Sequence, residues 1–213
     1  MRIALLGPCA KNRADLRQAA TFVLETANAD RAVYLGGDEA LDEMVDEWAA
    51  EIVHGDAGPT GLWDRTLDLL KPEAGAAEIR ETLAREQALE PLRRLEQLPR
   101  GTGRSLELFG SRVAILVDDR ERLDEDDLAT AEIVVYGKSP EARVRRIGAR
   151  WFLSPGAMGG DFGVLLLEET DRDLRATFHD PTGKVRGSET LTKAQGAKVR
   201  VRGGRDGDGE SPP

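Results

Sequence analysis

Residues 1–38, MRIALLGPCAKNRADLRQAATFVLETANADRAVYLGGD, read as one complete strand, helix, strand unit. Residues 3–6 are a short apolar run closed by Gly7 and Pro8, too short for a helix and bounded like a strand buried on both faces. Asn12 or Asp15 can cap the next segment, in which Leu16, Ala19, Ala20, Val23, Leu24 and Ala27 recur at helical spacing. The pattern breaks at 28–30, and residues 32–35 form a second apolar strand that stops at Gly36-Gly37-Asp38. Parallel strands joined by a helix place any ligand at their carboxyl ends, so the loops at 7–12 and 36–39 should face one crevice. Function is expected there.

The alternation of apolar strand and polar turn continues downstream. Val53-His54-Gly55-Asp56-Ala57-Gly58 follows an acidic amphipathic helix at 39–53, and the apolar run 113–117 ends at Asp118-Asp119. Val134-Val135-Tyr136-Gly137-Lys138-Ser139-Pro140 closes another buried strand, and Phe152-Leu153-Ser154-Pro155-Gly156-Ala157-Met158-Gly159 precedes a terminal strand at 162–167. In order and spacing, these six boxes over residues 1–180 resemble the calcineurin-like metallophosphoesterases, in particular their small prokaryotic phosphodiesterase-type branch. The resemblance implies an α/β fold: a four-layer α-β-β-α sandwich with two mixed sheets flanked by helices.

It also implies where ligands would stand, and this sequence keeps each frame while changing its chemistry. Pro8 occupies the place of the family's first aspartate, Ala10 that of its first histidine, and Gly37 that of the bridging aspartate, with Asp38 one residue on. Asp56 replaces an asparagine ligand, Ala57 the catalytic histidine, Asp118 a histidine ligand, and Lys138 and Pro140 the last two histidines. A two-metal phosphoesterase needs several oxygen and imidazole donors to hold its cations and lower the pKa of a bridging water. Proline, alanine and glycine side chains cannot coordinate, and the Lys138 ammonium repels a cation directly. The expectation is a degenerate member with no catalytic residue, metal or other cofactor, kept as a protein-binding or scaffolding module for a protein partner. Lys138 is expected to pair with Asp56, Asp118 or Asp38 across the crevice.

Two other readings use the same residues. Asp38, Asp56, Asp118 and Asp119 could surround one magnesium or manganese ion in a metal-dependent phosphodiesterase or phosphatase with a reduced site. The glycine-rich turns Gly36-Gly37 and 156–160 would let a small anion or nucleotide approach the backbone, although neither matches a Walker or dinucleotide spacing. Residues 115–119 also look like the acidic pocket of a receiver domain. That module carries its acidic pair near the N-terminus, whereas here the remaining chain turns into strands.

Composition narrows the classes further. A formal net charge of −9 argues against general nucleic-acid binding, which needs a basic footprint. The single cysteine, Cys9, excludes an internal disulfide, and two histidines leave no zinc-type spacing. Cys9, one step past the first strand, is expected as an exposed thiol, and His54 and His179 as hydrogen-bonded surface residues. No apolar run approaches the roughly 18–20 residues of a membrane span, so a cytoplasmic location is the default. Domain boundaries are expected at 1–182, with a helical insertion at about 62–98 interrupted at Pro91, and a disordered tail at 183–213, basic and then Gly/Asp-rich. The arginines Arg143, Arg145, Arg146 and Arg150 are expected on a solvated strand edge.

Overall fold

The computed structural model describes residues 1–9, 12–71, 75–171 and 173–193. Strand β1 (Arg2–Leu6) runs parallel to β2 (Arg31–Tyr34), and the two are joined by α1 (Arg13–Thr21), whose end widens into a π-helical turn at Phe22–Thr26. Both strands are apolar on both faces because they lie between layers. Ala4, Leu6, Ala32 and Tyr34 pack with α1 and α2 (Ala40–Val53), whereas Ile3, Leu5, Val33 and Leu35 face a second sheet. Side chains that alternate between two apolar environments read as an unbroken hydrophobic run.

The remaining elements follow in order: α3 (Pro59–Asp68), α4 (Ala76–Leu89), β3 (Leu95–Gln97), β4 (Arg104–Phe109), β5 (Arg112–Val117), α5 (Glu125–Thr130) and β6 (Ile133–Tyr136). Then come β7 (Arg143–Ile147), β8 (Arg150–Ser154), β9 (Val164–Glu169), β10 (Leu174–His179) and β11 (Val185–Leu191). The first sheet has the order β11-β10-β9-β1-β2-β3 and the second β4-β5-β6-β8-β7. Both are mixed: β1, β2 and β3 are parallel, as are β5, β6 and β8, and the remaining pairings are antiparallel. Leu5, Leu116, Leu153 and Leu165 fill the layer between the sheets, and each contributes about 2–5 kcal/mol relative to alanine. Leu128 of α5 packs over Ile115 and Val134 on the outer face of the second sheet. The architecture is a four-layer α-β-β-α sandwich.

Three boundaries differ from the sequence reading. The helical stretch expected to reach residue 98 ends at Leu89; Pro91 then starts a 3-10 turn, and Leu95–Gln97 is a strand beside β2. Leu95 packs with the outer helices and Leu98 between the sheets, and a strand reaches both environments where a helix would not. The strand expected to be terminal is β9, and two more follow it. β11 carries the domain past residue 182; as an edge strand exposed along most of its length, it needs little beyond Leu191 to hold it. The tail residues 194–213 lie outside the described residues. Among the described residues no helix is long and apolar enough to cross a membrane.

Backbone meets backbone where the sheets converge. A Cβ added to Gly7, after β1, would stand 1.8 Å from the Gly156 carbonyl oxygen, after β8; one added to Gly137, after β6, would stand 1.9 Å from the Leu35 carbonyl oxygen, after β2. Only glycine permits either approach.

Candidate functional site

These contacts bring the carboxyl ends of β1, β2, β5, β6 and β8 to one side of the sandwich. A cleft of about 320 Å³ opens between the turns after β2, β3 and β5, with Gly37, Asp38, Gln97, Arg100, Asp118 and Arg122 on its walls. Its charge is mixed. Arg100 reaches Glu39 and Asp42 at 3.1 Å each, and Arg122 lies 3.5 Å from Asp118.

Asp38 is held from below. Its Oδ1 accepts a hydrogen bond from the buried Tyr34 hydroxyl at 2.9 Å, and that hydroxyl accepts from the Cys9 N–H at 3.2 Å. Burial, followed by the contact with Cys9, pushes the Tyr34 phenol well above its ordinary pKa, so it serves as a neutral donor. Gln97 Nε2 donates to the Asp38 carbonyl, and Gln97 Oε1 is buried with no partner among the described residues.

Asp118, at the end of β5, is buried. Its Oδ1 accepts from the N–H of Asp119 at 2.7 Å, and its carbonyl accepts from the N–H of Lys138 at 2.7 Å. Asp119 takes the Lys138 ammonium at 2.5 Å and the Glu121 N–H at 3.1 Å. The Lys138 hydrogen bond, then that of Glu121, holds the Asp119 carboxyl below its usual range, and the same contact raises Lys138. Lys138 therefore pairs with the neighbouring Asp119, a correction of its expected pairing with Asp56, Asp118 or Asp38. The parallel neighbours β5 and β6 put their turns side by side; Asp118 on the same turn is buried, bonded to the Asp119 N–H and near Arg122, whereas Asp38 and Asp56 stand on other turns.

The structure separates Asp56 from this group. Exposed after α2, it accepts from the N–H groups of Gly58 at 2.8 Å and Gly61 at 3.0 Å, closing the N-terminus of α3, which begins with Pro59. Its carboxylate thus serves as a helix cap. Ala57 accompanies it, Pro8 follows β1, Pro140 is exposed beyond Lys138, and Ala10 lies outside the described residues. Among the described residues no three His, Cys, Asp or Glu side chains are placed to hold a metal ion together.

Other expectations change. Cys9 is buried beside the Tyr34 hydroxyl rather than exposed. His179 is buried against Phe22 at a ring distance of 5.0 Å, with Nδ1 3.0 Å from the Gly183 carbonyl; only His54, at the left-handed end of α2, is exposed. The glycines at 156–160 do not line the cleft. Sequence reasoning passed over Tyr34, Gln97, Arg100 and Arg122. Tyr34 alone carried a signal: a hydroxyl inside an apolar strand requires a partner.

No protein-family model matches this sequence, and no curated protein matches it. Among solved structures, the chain is similar to a conserved uncharacterized protein, a predicted phosphoesterase, from Streptococcus pneumoniae, with 12% identity, 91% of this chain and 99% of that one covered, and a TM-score of 0.49. It is also similar to wild-type Vps29 complexed with zinc from Entamoeba histolytica, at 15% identity, 90% and 100% coverage and a TM-score of 0.45. A novel archaeal phosphodiesterase gives 10%, 90% and 100%, and 0.43.

Proposed function

We propose that this chain is a metallophosphoesterase-like domain whose cation site is lost and whose role is to bind or scaffold a protein partner. The observation that carries this reading is the Asp118-Asp119-Lys138-Arg122 cluster, in which protein cations already neutralise the carboxylates a metal would need. At the other positions that the resemblance assigns to ligands, Pro8, Gly37 and Pro140 offer no side-chain donor, and Asp56 caps a helix. A cation pair does not fit this donor set. Ala57 stands where the resemblance puts the catalytic histidine, and a methyl group cannot carry the proton transfer a hydrolytic step needs.

A reduced site remains as a second reading because Asp38 and Asp118 do share the cleft. Elemental analysis of purified protein, with a generic phosphodiester assay in magnesium or manganese, separates the two. The expected result is no stoichiometric metal and no turnover above the blank. Bound metal, together with turnover that disappears in Asp118→Ala, would replace the first reading with the second.

A further inference from the structure

Each sheet of the sandwich ends in two edge strands, and three of the four edges are poor templates for another chain. β3 is only 3 residues long. β7 is exposed throughout and carries Arg143, Arg145 and Arg146, and β11 is polar, with a register shift opposite Phe178 and His179. Short length, charge and bulges are the usual ways of blunting an edge. β4 is neither short nor bulged, and its two charged side chains, Arg104 and Glu107, are already paired within the chain with Asp127 and Arg31. It runs for 6 residues with Leu106 and Leu108 on its outer face, 64% and 65% exposed, beside Ile115 and Val113 of β5.

The free backbone groups of β4 can be assigned. The β4–β5 hairpin closes through Gly110-Ser111 between the paired residues Phe109 and Arg112, and Gly110 has φ 59°, as the first position of a type II′ turn requires. The Asp118 N–H bonds the Gly103 carbonyl at 3.0 Å, so residues 103, 105, 107 and 109 direct their backbone groups to β5. Those of Leu106 and Leu108 point away from the sheet and meet no partner among the described residues.

We infer that β4 pairs with β4 of a second copy of this chain, antiparallel about a two-fold axis at Leu106, joining the two five-stranded sheets into one continuous sheet. This register sets Leu106 opposite the Leu106 of the other copy, and Leu108 beside Arg104. It also sets Ser105 opposite Glu107; the Ser105 Oγ is buried without a partner in one copy and gains a carboxylate acceptor in two. The competing axis at Glu107 would place the two Glu107 carboxylates face to face, and like charges directly opposed destabilise a strand pair. Within one copy Glu107 is 3.1 Å from Arg31 in either register, so the carboxylate that meets Ser105 is already paired, and only the axis at Glu107 brings two carboxylates together. The exposed leucines and the outward backbone are thereby buried by the same contact.

Size-exclusion chromatography with light scattering over a dilution series tests this on the full chain. The parent should run with twice the chain mass, and the doubly substituted Leu106→Lys, Leu108→Lys variant should run as one chain with an unchanged circular-dichroism spectrum. In a hydrogen-bonded antiparallel pair the facing Cα atoms are about 5.5 Å apart, a separation a disulfide can span. Leu106→Cys should therefore cross-link two chains on mild oxidation and Leu108→Cys should not, Cys9 being buried in both. A parent of single-chain mass at every dilution, a dimer that survives the double lysine variant, or equal cross-linking by Leu106→Cys and Leu108→Cys would each overturn the inference.

Discussion

Two turns of the molecule hold an aspartate whose carboxyl lies below its ordinary pKa, and they do so in opposite ways. At the β10–β11 turn, Asp180 is 5% exposed; its Oδ1 accepts from both groups of Thr182 and from the Lys184 N–H, and its Oδ2 from Arg186 at 2.8 Å. Burial pushes this carboxyl upward, and the bonds from Thr182, Lys184 and Arg186 outweigh it. At the crevice, Asp119 meets a Lys138 side chain that is 70% exposed. The first arrangement is a joint between strands, where desolvated hydrogen bonds cannot be exchanged for water. The second is a screened pair at a solvent-facing turn, so its residues can change with little loss of fold.

The contrast is sharpest in stability. Asp180→Ala should cost about 3 kcal/mol in chemical denaturation and release amide protection along 174–191 first, because the Thr182 N–H and hydroxyl and the Lys184 N–H lose one shared acceptor and the turn opens, while Arg186 keeps Asp161. An equal loss from Asp119→Ala would erase the distinction. The pH dependence follows the sign of the shift: a carboxyl lowered in the folded state stabilises above its unfolded pKa, and that stability is lost as pH falls through the folded one. The parent should therefore lose stability below about pH 4, and Asp180→Asn should flatten that acid limb.

A smaller effect is expected between the two turns, at the buried support of Asp38. Tyr34→Phe should cost about 1–2 kcal/mol by leaving the Cys9 N–H without its acceptor. It should also speed reaction of Cys9 with a thiol reagent, and an unchanged rate would mean that the hydroxyl does not hold the first turn closed. Smallest of all is Lys138→Ala, whose melting temperature should stay within the scatter of the parent's. A clear drop would place the crevice pair with the buried joint.

The first strand, helix, strand unit and its crevice were legible because apolar strands ending in glycine turns carry a strong signal, as residues 1–38 do, whereas the four-layer sandwich was what the resemblance of the boxes implied. β3 and β11 were not, since one hides behind a helical stretch and the other is an edge with almost no apolar content. At the site, the type of each residue could be read, but its partner could not. Lys138 finds Asp119, and Asp56 finds the start of α3, through distances of a few ångströms that depend on how turns from different strands converge. Cys9 and His179 were misplaced because burial of a polar group is decided by what covers it, here Tyr34 and Phe22.

The contacts of Gly7 with Gly156 and of Gly137 with Leu35 have a mechanical consequence. They are clamps between the two halves of the molecule, indifferent to whatever chemistry goes on beside them. Any side chain there would wedge the halves apart, so the glycine skeleton of the turns answers to mechanical fit.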